Sequence, residues 1–161
     1  MFDARQRMPA CRRVLFEERS RSATVAEETT ELTLPSRIEA IAAAAAKADE
    51  VAERLQLSED AAFGLDMAVR EAVTNAVLHG NKQDESKPVE IAFTDAGGEL
   101  VVTVRDRGTG FDPTSVDDPT AEQNLLKASG RGILFMRNFM DTVEWLPHPE
   151  GGTVVRMTKK R

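Results

Sequence analysis

Between Ser58 and Val104 the apolar residues change period, and few folds accommodate such a change. Leu65, Val69, Ala72, Val73, Ala76 and Val77 recur at the spacing of a helix that buries one stripe. Beyond Gly80-Asn81 the period drops to two, in Val89-Glu90-Ile91-Ala92-Phe93 and again in Leu100-Val101-Val102-Thr103-Val104. Asp95-Ala96-Gly97-Gly98 joins these stretches and reads as the turn of a β-hairpin. A helix with one apolar face, followed directly by strands with one apolar face, predicts a layered fold in which the first covers the second.

The flanking segments extend this plan. Glu31-Leu32-Thr33-Leu34-Pro35 reads as a short strand, placed at a sheet edge by its proline. Ser36 with Glu39 matches a capping box, and Ile38, Ile41, Ala42, Ala45, Ala48, Val51 and Leu55 follow at helical spacing. Ser58, backed by Glu59 and Asp60, starts the second helix, which is expected to run to His79. Prolines, aspartates and polar residues fill Asp112 to Ser129, a loop long enough to suggest a functional role. A third helix is expected from Gly132 to Met140, with Ile133, Met136 and Met140 inward, then a hairpin of Thr142 to Leu146 and Thr153 to Thr158. The fold class predicted is α+β, a two-layer α/β sandwich with helices on one face of a mixed, mostly antiparallel sheet.

Composition narrows the partners. The 161 residues suit one domain, and 41% hydrophobic with 30% charged is ordinary for a globular chain. The longest apolar run, Ile41 to Ala46, is far short of the roughly 20 residues that span a bilayer, so no membrane association is expected. No secretory leader is expected either, and the lone Cys11 has no internal disulfide partner, which together point to the cytoplasm. A net charge of −6 argues against direct nucleic-acid binding. Arg5, Arg7, Arg12, Arg13, Arg19 and Arg21 crowd the start, so residues 1–28 read as a flexible Arg-rich tail preceding a domain at 29–161. Such a tail either touches an acidic partner or is a solvated extension, with Met8 a second candidate start.

Three stretches carry polar chemistry, each with an ordinary alternative. Glu71, Asn75 and His79 are four residues apart, so on an α-helix they share a face beside the buried stripe. A carboxylate and a carboxamide one turn apart offer a base and an oxygen ligand for a hard cation, or simply the polar edge of an amphipathic helix. In Asp106-Arg107-Gly108-Thr109-Gly110-Phe111 a strand ends in a carboxylate suited to accept from an exocyclic amine and two glycines that allow close approach, or in a plain turn. Gly130-Arg131-Gly132 opens a helix, whose free amides favour an anion, or merely ends a loop.

In order and spacing, these stretches together resemble the boxes of the GHKL, or Bergerat-fold, ATPases. Glu71-x-x-x-Asn75-Ala76-x-x-His79 resembles the asparagine box, Asp106-x-Gly108-x-Gly110-Phe111 the first glycine box, and Gly130-x-Gly132 the second. The resemblance implies that Asn75 coordinates Mg2+, that Asp106 binds the adenine amino group, and that Gly108, Gly110, Gly130 and Gly132 border ATP and its lid. Thr153, after Gly151-Gly152, resembles the family's Gly-Thr near the adenine.

Within the superfamily, Glu71 to Gly80 and Gly132 to Asp141 look especially like the RsbW/SpoIIAB class of anti-sigma factor serine/threonine kinases. His79 and His148 are not placed to be the acceptor of a sensor kinase. The resemblance implies a homodimer, paired through the Glu31 to Pro35 strand, that sequesters a sigma factor and phosphorylates a STAS-type antagonist. In that scheme Glu71 orients or deprotonates the incoming hydroxyl and Asp112 to Ser129 closes as a lid. Ala128 stands where some members carry an arginine, flanked by Lys127 and with Arg131 inside the box. That departure keeps a second function in view, an ATP-dependent protein-binding switch without kinase activity.

Overall fold

The computed structural model describes residues 27–110 and 128–161. The chain runs β1 (Glu28–Leu34), α1 (Glu39–Arg54), α2 (Glu59–Thr74), a π-helical turn over Asn75–Gly80 that continues α2, β2 (Val89–Asp95), β3 (Glu99–Arg105), α3 (Ala128–Phe139), β4 (Thr142–Pro147) and β5 (Thr153–Lys160). The expected architecture is present: among the described residues, one five-stranded sheet, in the order β1-β2-β3-β5-β4, lies under three helices.

Every pairing in that sheet is antiparallel, so the mixed sheet expected is corrected. The reason lies in the connections. Two helices separate β1 from β2, and three reversals leave the two strands antiparallel. One helix separates β3 from β4, which therefore point the same way, but β5 inserts between them and pairs antiparallel with both. No parallel neighbours remain.

Alternation decides which face each strand buries. Val89, Ile91 and Phe93 of β2, Leu100, Val102 and Val104 of β3, and Val155 and Met157 of β5 point to the helices and are buried. Ala44, Ala48 and Val51 of α1, Leu65, Val69 and Val73 of α2, and Met136 of α3 meet them. Full burial of a side chain such as Phe93 or Leu65 contributes about 1.5–3 kcal/mol. The alanines carried by α1 and α2 in this core hold the two helices close.

Several boundaries differ from the sequence reading for identifiable reasons. Ser58 caps α2 as expected, its Oγ accepting from Ala61 N at 3.2 Å. Ser36 caps nothing: α1 begins at Glu39 with no side-chain cap, while the buried Ser36 Oγ donates to Lys87 O at 2.5 Å. A long-range bond has displaced the local one. β1 begins at Glu28, the last residue assigned to the tail, and ends before Pro35; residues 1–26 of the tail lie outside the described residues. α3 starts at Ala128, so Ala128 and Ser129 are helical rather than loop; the rest of the expected lid, Asp112 to Lys127, lies outside the described residues. None of the helices among the described residues is long and apolar enough to cross a membrane.

The second helix also departs from expectation. It reaches Gly80, past the His79 predicted, but its last six residues are π-helical. Asn81 N donates to Ala76 O at 2.8 Å, a five-residue span in place of four. Such turns interrupt helices mostly at functional sites.

Candidate functional site

The asparagine-box stretch reaches the two glycine stretches along one edge of the helical layer. Glu71, on the last α-helical turns of α2, is partly buried, and its carboxyl lies against the Cα of Gly132, so tightly that a Cβ at Gly132 would overlap it. Two motifs 61 positions apart in numbering therefore touch. Gly132 sits inside α3, which begins four residues earlier, so the sequence picture of a helix opening at Gly132 is corrected. What its missing side chain provides is room for Glu71. Gly130 is one of the first residues of the same helix.

Burial raises the Glu71 carboxyl above its ordinary value, opposed by a hydrogen bond with Asn75 and by the nearby His79. When Glu71 is ionised it can only accept, so Asn75 must present its NH2 group to it. The Asn75 carboxamide also carries a carbonyl oxygen, the donor type a hard cation such as magnesium takes. His79 belongs to the π-helical turn and is exposed, yet lies near enough to Glu71 to act on its carboxyl.

At the other end of this turn, Gly80 brings the second motif in. Asp106 follows β3, is only 7% exposed, and lies over Gly80; a Cβ on Gly80 would stand 2.6 Å from Asp106 Oδ2. The Cα of Gly108 approaches the Gly80 carbonyl so closely that a Cβ there would overlap backbone. Asp106 Oδ1 accepts from Gly108 N at 2.8 Å and from Thr153 N at 3.3 Å, while Asp106 N donates to Thr153 O at 3.0 Å. Oδ2 has no donor among the described residues. A buried carboxylate with one oxygen fixed by two amides and the other unused suits an incoming N–H donor.

Thr153 is thus brought to Asp106 through its backbone. Gly152 makes the approach possible: it has φ +90°, and a Cβ there would overlap the Asp106 carbonyl. Gly110, with φ +100°, is exposed and has nothing nearby on which a Cβ would press, so it is not drawn into the cluster. Asn81 was not among the residues singled out from the sequence. It is 1% exposed, and its Oδ1 accepts from Arg107 N at 2.7 Å, immediately beyond Asp106. The sequence offers little to find it by, since a polar residue after glycine reads as an ordinary helix end.

The sequence profile of the histidine kinase-like ATPase domain matches residues 34–159. Among similar proteins, the anti-sigma F factor of Oceanobacillus iheyensis is 38% identical over 94 residues, covering 57% of this chain and 64% of that protein. The anti-sigma F factor of Clostridium perfringens is 38% identical over 100 residues, covering 58% and 68%. That of Bacillus subtilis is 39% identical over 97 residues, covering 56% and 64%. The chain spans a little under two thirds of the length of the Oceanobacillus and Bacillus proteins. In three dimensions it is similar to the crystal structure of the RsbU and RsbW domains of a Mycobacterium tuberculosis protein, with TM-score 0.61 and 21% identity over 83% of this chain and 32% of that one. That likeness is one of fold.

Proposed function

The chain belongs to the histidine kinase-like ATPase domain family, and from that premise we propose that it binds Mg2+ and ATP, holds a sigma factor inactive, and phosphorylates a serine or threonine of a STAS-type antagonist. The observation that carries the nucleotide site is the meeting of three separate stretches: Glu71 against Gly132, and Gly80 against both Asp106 and Gly108. The names of the similar anti-sigma F factors support the regulatory part.

Each residue in the cluster takes a distinct task. Asp106 reads the adenine amine through Oδ2, with Thr153 and Gly152 forming the wall beside it. Asn75 supplies a carbonyl oxygen to magnesium, which when bound neutralises phosphate charge, and Gly108, Gly130 and Gly132 border the nucleotide, with Gly110 reaching it from outside the cluster. Glu71 orients the incoming hydroxyl and takes its proton late, as the oxygen bonds to phosphorus. Its burial suits a base, because a carboxyl raised above its ordinary value accepts a proton more readily.

The direct test is incubation with γ-labelled ATP, magnesium and antagonist proteins from the same genome. Label on an antagonist serine or threonine is the expected result. ATP binding without transfer would instead leave the protein-binding switch, and failure to bind ATP would overturn the whole assignment.

Base recognition is a separate prediction. ATP is expected to bind at least about ten-fold more tightly than GTP, because guanine has an oxygen where adenine has the amine. Asp106→Asn should weaken ATP by a similar factor and leave GTP little changed, as read by titration calorimetry.

Homodimerisation belongs to the same proposal. β1 lies at one edge of the sheet and pairs only with β2 among the described residues, so its outer backbone groups are available to a second copy. A dimer is expected in sedimentation at micromolar protein with ATP present. A monomer there would remove the idea.

A further inference from the structure

Asn81 joins two backbone segments that the proposed site requires at a fixed separation. Its own N–H bonds Ala76 O at 2.8 Å, anchoring it to the π-helical turn directly after Gly80. Its Oδ1 accepts from Arg107 N at 2.7 Å, directly after Asp106. Its Nδ2 donates to Lys87 O at 2.8 Å, with Pro88 O at 3.2 Å and Ser36 Oγ at 2.9 Å also in reach. One buried side chain therefore stands one residue from Gly80 along the chain and one hydrogen bond from the residue after Asp106. The Asp106 carboxyl lies over Gly80, so the gap between them is set through Asn81.

We infer that Asn81 is a positioning residue for base recognition, holding the Asp106 carboxylate at the distance from Gly80 at which adenine is read; this rests on the role of Asp106 proposed above. The task calls for an acceptor on one side of a short side chain and a donor on the other, which a carboxamide provides. Serine is too short to span both, and aspartate keeps an oxygen for Arg107 N but loses the amide donor. The arm toward Ser36, Lys87 and Pro88 serves stability alone, because it does not reach the Asp106 segment.

The test compares ATP with GTP affinity in wild type, Asn81→Ser, Asn81→Asp and Ser36→Ala, alongside each melting temperature. Wild-type protein that does not discriminate the bases would defeat the Asp106 reading itself, independently of Asn81. With discrimination present, Asn81→Ser is expected to lower the ATP:GTP preference by about ten-fold or more. Asn81→Asp should keep the preference within about three-fold despite a lower melting temperature, and Ser36→Ala should melt lower with the preference unchanged. A folded Asn81→Ser protein with the wild-type preference would overturn the inference. Should Asn81→Ser not fold, amide exchange in nucleotide-free wild type decides: Arg107 N–H is expected to be as protected as Asp106 N–H, and free exchange at Arg107 overturns the clamp.

Discussion

Glu71→Gln is expected to bind magnesium-ATP within about three-fold of wild type and to transfer phosphate to the antagonist about 10²-fold more slowly or worse, the scale of a lost general base. The two effects separate because Glu71 and Asn75, though hydrogen-bonded one turn apart, have different proposed tasks. Glutamine retains an oxygen to accept from Asn75, but it cannot take a proton from a hydroxyl. ATP titration with single-turnover transfer reads both. Loss of ATP binding would make Glu71 a structural or metal-site group, and transfer at the wild-type rate would mean the hydroxyl needs no base.

The same substitution has a consequence for stability. Burial raises the Glu71 carboxyl in the folded chain above its ordinary value of 4.5, so the folded state holds that proton more tightly than the unfolded one. Stability from this group is accordingly greatest below the ordinary value and falls as pH rises from there through the folded value. Glutamine has no such dependence. Nucleotide-free Glu71→Gln should melt above wild type at neutral pH, with the difference shrinking toward pH 4.5. A difference independent of pH would show that burial of the charge is not what the wild type tolerates there.

Gly108→Ala should damage both fold and site. Its new Cβ overlaps the Gly80 carbonyl, and since both partners are backbone no rotamer change relieves the contact. Overpacking of this kind costs about 1–3 kcal/mol, or roughly 3–10 °C in melting temperature for a domain of this size. Forcing Gly108 away also strains its N–H bond to Asp106 Oδ1, so ATP affinity is expected to fall about 10- to 100-fold. Gly98→Ala is the control, because nothing lies near a Cβ there, and it should change neither quantity. A Gly108→Ala protein with wild-type melting and affinity would show that the contact with Gly80 is not made in solution.

What the sequence made legible was whatever depends on local period and on residue type. The helical stripe through Leu65 and Val69, the Val89 and Leu100 strands and the Ser58 cap all follow from neighbours in the chain. The glycines were legible as glycines, but their reasons were not: that Gly132 clears space for Glu71 depends on α2 and α3 packing together. Ser36 was misread because its cap pattern with Glu39 is local, whereas its actual partners, Lys87 and Asn81, lie across the fold. Asn81 escaped notice for the same reason. The mostly antiparallel character of the sheet was legible, but that no described pair runs parallel was not, because the helix count between strands and the place where β5 inserts decide it.

The π-helical turn at Asn75–Gly80 is a matter of phase. Each residue of an α-helix turns the chain by about 100°, so one residue more or fewer re-aims everything downstream while barely changing the length. Here the slack falls between Asn75, the residue proposed to hold the metal, and Gly80, which packs against Asp106. Wound as ordinary α-helix, the turn would give Gly80 a different bearing relative to Asn75. This stretch should therefore resist single-residue deletions and insertions far more stubbornly than it resists conservative replacement of its side chains, since the former alter bearing and the latter only contact.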